Sequence, residues 1–332
     1  MTAVASPRPA VSICVPTYNG AAYLSVCLDS ILGQTFADFE VVAVDDRSCD
    51  DTVDILKRYS RMDRRLRIWE NPGNLGLVGN WNRCIEQARG RWIKFVFQDD
   101  WIVPDCVRIM VEEAISGQAV LAVCRRRFSF ESVSEGFRGR YPDVGQEVSP
   151  ESIWPGRRSI SAEALCNAVL DHGVTNFIGE PTATLIDRDA ITQFGVFNRK
   201  LIQLCDIEYW LRVGVNRGIH YIPDTLAYCR IHEGSTTASN FARQRFRGDV
   251  VDPLLIKCEF SYNPDYQILR DVARSRGIDL EADFISASVL EQRWGKEHAN
   301  PGWREVLAME PRVRMPWQLR MRRLVRNLLE AI

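Results

Sequence analysis

No two cysteines form a CxxC pair, no run of about 18 apolar residues occurs, and neither sign of charge dominates the chain. Each absence closes a class of function. The ten cysteines (Cys14, Cys27, Cys49, Cys84, Cys106, Cys124, Cys166, Cys205, Cys229 and Cys258) are scattered singly, which argues against a disulfide framework and a structural zinc site. Several lie in apolar runs such as "VSICV" and "AVLAVC", where a thiol acts as a small hydrophobe and suits a reducing, cytoplasmic setting. With 42 Lys and Arg against 43 Asp and Glu, the net charge is −1, so the whole molecule has no electrostatic grip on nucleic acid. The opening "MTAVASPRPA" lacks the charged-then-apolar pattern of a signal peptide. "VSICVPTYNG" also lacks the GxGxxG turn of a dinucleotide oxidoreductase. A sugar-phosphate nucleotidyltransferase would want a Gly- and Arg-rich loop there instead, and none follows.

What is present alternates. Strand-like runs at Val11–Val15, Phe39–Val44, Leu66–Trp69, Trp92–Phe97 and Val120–Arg125 are separated by stretches of helical periodicity, for example Leu24, Leu28, Ile31 and Leu32. This predicts an α/β fold, a doubly wound and mainly parallel sheet with helices on both faces. Ligands on such sheets bind beyond the carboxyl ends of the strands, where "PTYNG", "DDRS" and "QDDW" all fall. Residues 126–180 read as loops with a short helix near Ala162–Leu170. Beyond them come a strand at Thr182–Ile186, a helix at Asp206–Val215 and two short strands, Ile219–Ile222 and Leu226–Arg230. After about Ser239 the chain reads as mostly helical.

The carboxylates carry the chemistry. Asp45 and Asp46 close one strand, where an Asx turn or helix cap explains them as well as a ligand does. Asp99 and Asp100 end the apolar run "FVFQDDW", where two adjacent anions call for a positive partner. A hard divalent cation, Mg²⁺ or Mn²⁺, suits such a pair.

The stretches "VSICVPTYNGAAYLSVCLDSILGQTFADFEVVAVDDRSCDDT" and "NPGNLGLVGNWNRCIEQARGRWIKFVFQDDW" resemble the family-2 inverting glycosyltransferases of GT-A fold. The resemblance resumes at "EPTATLIDRDAI", "LCDIEYWLR" and "YCRIHEGSTT". It implies a nucleotide-sugar donor, with Pro16, Thr17, Tyr18 and Asn19 lining the base and ribose. It further implies that Asp46 accepts from the base's imide N–H, that Asp45 shapes the turn, and that Asp99 sits against ribose and diphosphate. Asp100 would bind the metal, with His232 as a ligand to the metal or the phosphates. Gln98 stands where the family's acidic motif often has its first carboxylate. Asp206 matches the general base; an N-cap fits the same residue. Trp210 and Tyr209 either flank a sugar or belong to the core.

The resemblance thus implies a metal-dependent transfer from a UDP- or dTDP-sugar to a glycan or lipid-linked acceptor in cell-surface polysaccharide or glycolipid synthesis. A catalytically silent nucleotide-sugar or glycan-binding scaffold is the alternative. The expected organisation is a GT-A domain over residues 1–238, with a donor part at about 10–125 and an acceptor part at about 126–238, then a helical extension over 239–332. Arg125, Arg126 and Arg127, with Arg157 and Arg158, form basic clusters that suit an acceptor phosphate or a solvated face. The tail "MPWQLRMRRLVRNLLEAI" places Trp317, Met321, Leu324, Leu328 and Ile332 on one helical face with a basic border. That pattern suits peripheral contact with the inner face of the membrane through 315–332, packing on the domain, or a homodimer contact.

Overall fold

The computed structural model describes residues 8–131, 133–139, 148–243, 247–297 and 308–314. The tail 315–332, with its amphipathic pattern, lies outside the described residues.

Nine strands form one sheet among the described residues: β1 (Val11–Thr17), β2 (Phe39–Asp45), β3 (Leu66–Glu70), β4 (Trp92–Phe95), β5 (Trp101–Ile102), β6 (Leu121–Phe130), β7 (Ser159–Ile160), β8 (Thr184–Asp187) and β9 (Ile219–Ile231). Their order is β3-β2-β1-β4-β8-β6-β9-β5, with β7 paired to β9. Parallel pairing is confined to β3-β2-β1-β4 and to β6-β9, whereas β8, β5 and β7 run antiparallel to their neighbours. The sheet is therefore a parallel half joined to a mixed half.

Both faces are covered, as the unbroken apolar strands require. Along β1 and β2, Ile13, Val15, Val41 and Ala43 face a core shared with Leu28, Leu56 and Met110. Their immediate neighbours Cys14, Val42 and Val44 face the opposite core, with Trp81, Phe95, Phe197 and Trp210. Helices Ala21–Leu32, Thr52–Met62 and Cys106–Ser116 lie over the first core; Gly76–Gln87, Ala162–His172 and Cys205–Arg217 lie over the second.

Two expectations change. The short strands Ile219–Ile222 and Leu226–Arg230 are one strand, β9, which pairs with β6 through register shifts at Cys124/Arg125 and Arg125/Arg126. Pro223 lies there; it has no N–H to donate, so the ladder bulges instead of ending. β6 itself runs to Phe130, so the first five residues expected to be loop are strand. The helical segment Asp252–Tyr262 buries Leu254, Leu255, Ile256 and Phe260 in the core that holds Phe197 and Trp210.

Candidate active site

The turns after β1 and β2 satisfy one another. Ser48 Oγ accepts from the Asn19 N–H at 2.8 Å, Thr52 Oγ1 from Gly20 at 2.8 Å, and Asp50 Oδ2 from Ala21 at 3.1 Å. In return Asn19 Oδ1 accepts from the Cys49 N–H at 2.9 Å. Asp45 accepts from the hydroxyls of Thr17 (3.0 Å) and Ser48 (2.6 Å), so it does shape the turn. Asn19 and Arg47 both have positive φ, 47° and 67°, which the crossed hydrogen bonds hold in place. "PTYNG" and "DDRSCDDT" therefore occur together because each supplies the other's backbone partners.

The expected donor residues differ in exposure. Pro16 and Thr17 are buried, and the Thr17 hydroxyl is occupied by Asp45, whereas Tyr18 and Asn19 are exposed. Asp46 is also buried; its carboxylate accepts from Leu75 N–H (2.7 Å), Gly76 N–H (2.9 Å) and the Asn71 amide (2.9 Å). It serves the free N–H groups and positive end of the Gly76–Gln87 helix. The cause is a contact between segments some thirty residues apart, which local sequence does not reveal.

The second corner is acidic. His232 Nε2 meets Asp99 Oδ2 at 3.0 Å, and the imidazole leans on Tyr23 with centroids 4.7 Å apart. Asp100 is buried; Oδ1 accepts from the Arg230 N–H at 2.9 Å, and Oδ2 from the Thr182 hydroxyl. Burial and the charge of Asp99 push the Asp100 carboxyl well above its ordinary range. The Arg230 guanidinium donates to Asp99 O at 3.0 Å and stacks near Tyr23 and Trp101. Lys94, fully buried, donates to Thr182 O, which holds the Thr182 turn in place. Gln98 uses both ends of its amide on Tyr18, accepting from its N–H at 2.9 Å and donating to its C=O at 3.0 Å. A Cβ on Gly20 would stand 2.1 Å from Gln98 Oε1, so this contact requires glycine. Gln98 thus joins the two loops where an acidic residue would add repulsion.

Among the described residues no three His, Cys, Asp or Glu side chains are grouped as a ready-made metal cage. Carboxylate oxygens and one imidazole nitrogen, two of the carboxylates adjacent, fit a cation shared with a diphosphate better than one held by protein alone.

Asp206 occupies the second position of the helix Cys205–Arg217, whose N-cap is Leu204. It is therefore not the cap. Its Oδ1 accepts from Ile207 N–H at 2.8 Å. Burial, with the charge of Glu180, pushes its carboxyl up to about 7, against opposing pulls from that N–H and from Arg126. Glu180 also raises Asp100, so its charge reaches both acids from a single position. Glu180 is ion-paired to Arg126 and accepts from Asn176 at 3.2 Å. Sequence reading assigned no role to Glu180; its only local signal is a carboxylate placed just before a Pro and a buried strand. Tyr209 and Trp210 are fully buried and belong to the core. The Trp210 indole donates to Gly179 O at 3.0 Å and fixes the residue beside Glu180.

The profile of Glycosyl transferase family 2 matches residues 12–193, more than half of the chain. The chain belongs to that family. It is 32% identical over 256 residues to the uncharacterized protein MT1568 of Mycobacterium tuberculosis, covering 74% of this chain and 77% of that one. The fold is similar to S. aureus TarS 1-349 in complex with UDP-GlcNAc, with TM-score 0.59, 21% identity, and coverage of 83% and 81%. It is also similar to a Pyrobaculum calidifontis mannosyltransferase in complex with GDP-Man and Mn²⁺, with TM-score 0.56, 17% identity, and coverage of 94% and 86%. The enzyme is thus a family-2 glycosyltransferase of GT-A type. Among its described residues no helix is long and apolar enough to cross a membrane.

Proposed function

We propose that this glycosyltransferase moves a sugar, with inversion, from a nucleoside diphosphate to a hydroxyl of a glycan or lipid-linked acceptor in cell-surface polysaccharide or glycolipid synthesis. The observation that carries this reading is Asp206, at the start of a helix: burial pushes its carboxyl up to about 7, and Glu180 adds its charge there and at Asp100. A base with that proton affinity exchanges protons efficiently near pH 7. Asp206 takes the acceptor's hydroxyl proton as its oxygen attacks the anomeric carbon, and the nucleoside diphosphate leaves from the other side.

Asp100 and His232 would hold Mg²⁺ or Mn²⁺, which neutralises charge developing on the leaving diphosphate, with Asp99 set against the ribose and diphosphate. Tyr18 and Asn19, exposed at the β1 turn, offer a ring face and an amide to the nucleoside. With Asp46 enclosed, a UDP or dTDP donor rests on the wider likeness to TarS, solved with UDP-GlcNAc, and the mannosyltransferase's GDP-Man keeps guanine in the panel. Residues 315–332 would rest on the inner face of the membrane, which co-sedimentation with anionic vesicles tests.

The deciding experiment measures nucleotide release from UDP-, dTDP- and GDP-sugars with Mn²⁺, Mg²⁺ or chelator. Metal-dependent release supports the transferase. Protein that neither binds nor turns over any donor would be the silent scaffold.

A further inference from the structure

A cavity of about 320 Å³ opens beside Arg126. It is bordered by Arg125, Arg126, Arg127, Glu151, Ile178 and Tyr221. Strict strand alternation would send Arg126 to the face opposite its two neighbours. That alternation holds, with Arg126 buried between two exposed neighbours, while the register shifts at Cys124/Arg125 and Arg125/Arg126, set against Pro223 of β9, distort the strand locally. The bulged stretch nevertheless brings three successive arginines to the border of one space. Arg126 is buried and paired with Glu180, while Arg125 and Arg127 are exposed, with the Arg125 Nε 3.4 Å from the Tyr221 hydroxyl. Among the described residues Glu151 is the only carboxylate on the border, so positive charge prevails there.

Arg126 is ion-paired to Glu180, and the preceding residue, Gly179, accepts from the Trp210 indole one turn along the helix that carries Asp206, which ties this cavity to the base's helix. We infer that the cavity binds a phosphate group of the acceptor, presenting the acceptor's hydroxyl to Asp206. The inference deepens the transferase reading and rests on it. Guanidinium forks match phosphate oxygens in pairs, and partial enclosure strengthens those interactions relative to open surface. A phosphodiester polymer and a lipid-linked diphosphate present the same group.

The test is calorimetric titration of UDP-saturated protein with a glycerol phosphate oligomer and with farnesyl diphosphate. Farnesol and free glycerol serve as uncharged controls. The expected result is that at least one phosphate probe binds and its controls do not. Binding by the oligomer alone names a polymer acceptor, and binding by farnesyl diphosphate alone names a lipid carrier. In the double variant Arg125→Gln, Arg127→Gln the affinity should fall about tenfold or more, because two guanidinium groups no longer donate charge-assisted hydrogen bonds to the phosphate. UDP affinity and the circular dichroism spectrum should not change. Raising salt should weaken the wild-type titration and leave the variant's nearly flat. The inference is overturned if neither phosphate probe binds, if the controls bind equally well, or if the folded variant keeps wild-type affinity. Protein that binds the phosphate probes without UDP but fails to bind UDP would overturn the donor reading and leave this one standing.

Discussion

Asp206 owes its raised proton affinity chiefly to burial, and the Glu180 charge adds to it. As the base must be ionised to accept a proton, kcat/KM should rise with pH through about 7. Glu180→Gln removes the raising charge and frees Arg126 to lower it, so the acidic limb of the profile should move to lower pH. A profile unchanged in that variant would disconnect the pair. Asp206→Asn should keep donor affinity while transfer falls by about a hundredfold or more, read as glycosyl transfer alongside nucleotide binding. The same variant carries a stability signature. Between the unfolded carboxylate's range and about 7 the folded protein binds the proton more tightly, so Asp206 costs stability as pH rises through that window. Asp206→Asn should therefore melt higher than wild type at pH 8, by about 1–2 kcal/mol after discounting for partial exposure, and gain little at pH 4. At the acid corner, Asp100→Ala should weaken UDP binding in Mn²⁺ about tenfold, and chelator should then add little in the variant. A full additional loss with chelator would show that Asp100 is not where the cation acts.

At the scale of elements, the helix that carries Asp206 is held from afar. Its N-cap Leu204 makes no side-chain cap, and the Asp252 carboxylate accepts instead from the N–H groups of Ile202, Gln203 and Leu204 at 2.7–3.0 Å. Asp252→Ala leaves these part-buried donors without their acceptor and should cost about 1–3 kcal/mol in urea unfolding. Transfer should fall with it, since the helix start positions the base. The N-cap reading of Asp206 was reasonable from "LCDIEYW" alone, because an acid at a helix start does either job. What displaced it was a residue forty-six positions further along the chain. The β1 and β2 turns were legible as ligand-side loops from their place at strand ends, yet which side chains remain exposed depended on their crossed hydrogen bonds. Asp46 illustrates the difference: its place at a strand end is legible locally, and its partners Asn71, Leu75 and Gly76 are supplied by a later segment.

Across the whole molecule, the expected break near residue 238 does not coincide with a break in the core. Tyr266 donates to Glu208 O and Oε1 at 2.9 and 3.1 Å, and Leu254, Leu255 and Phe260 share a core with Phe197 and Trp210. A chain ended after residue 243 should expose that apolar surface and lose its cooperative unfolding transition, measured by circular dichroism on heating. A truncated chain that melts sharply would establish two independent units.

Strand periodicity, the loop motifs and the singly placed cysteines determined the fold class, the family and the positions of the acids, because these depend on neighbours in the chain. Which carboxylates stay available for chemistry was decided only in three dimensions. A carboxylate's role depends on which donors and charges approach it, and here Leu75 and Gly76 reach Asp46, Thr182 and Arg230 reach Asp100, and Glu180 reaches Asp206 from distant segments.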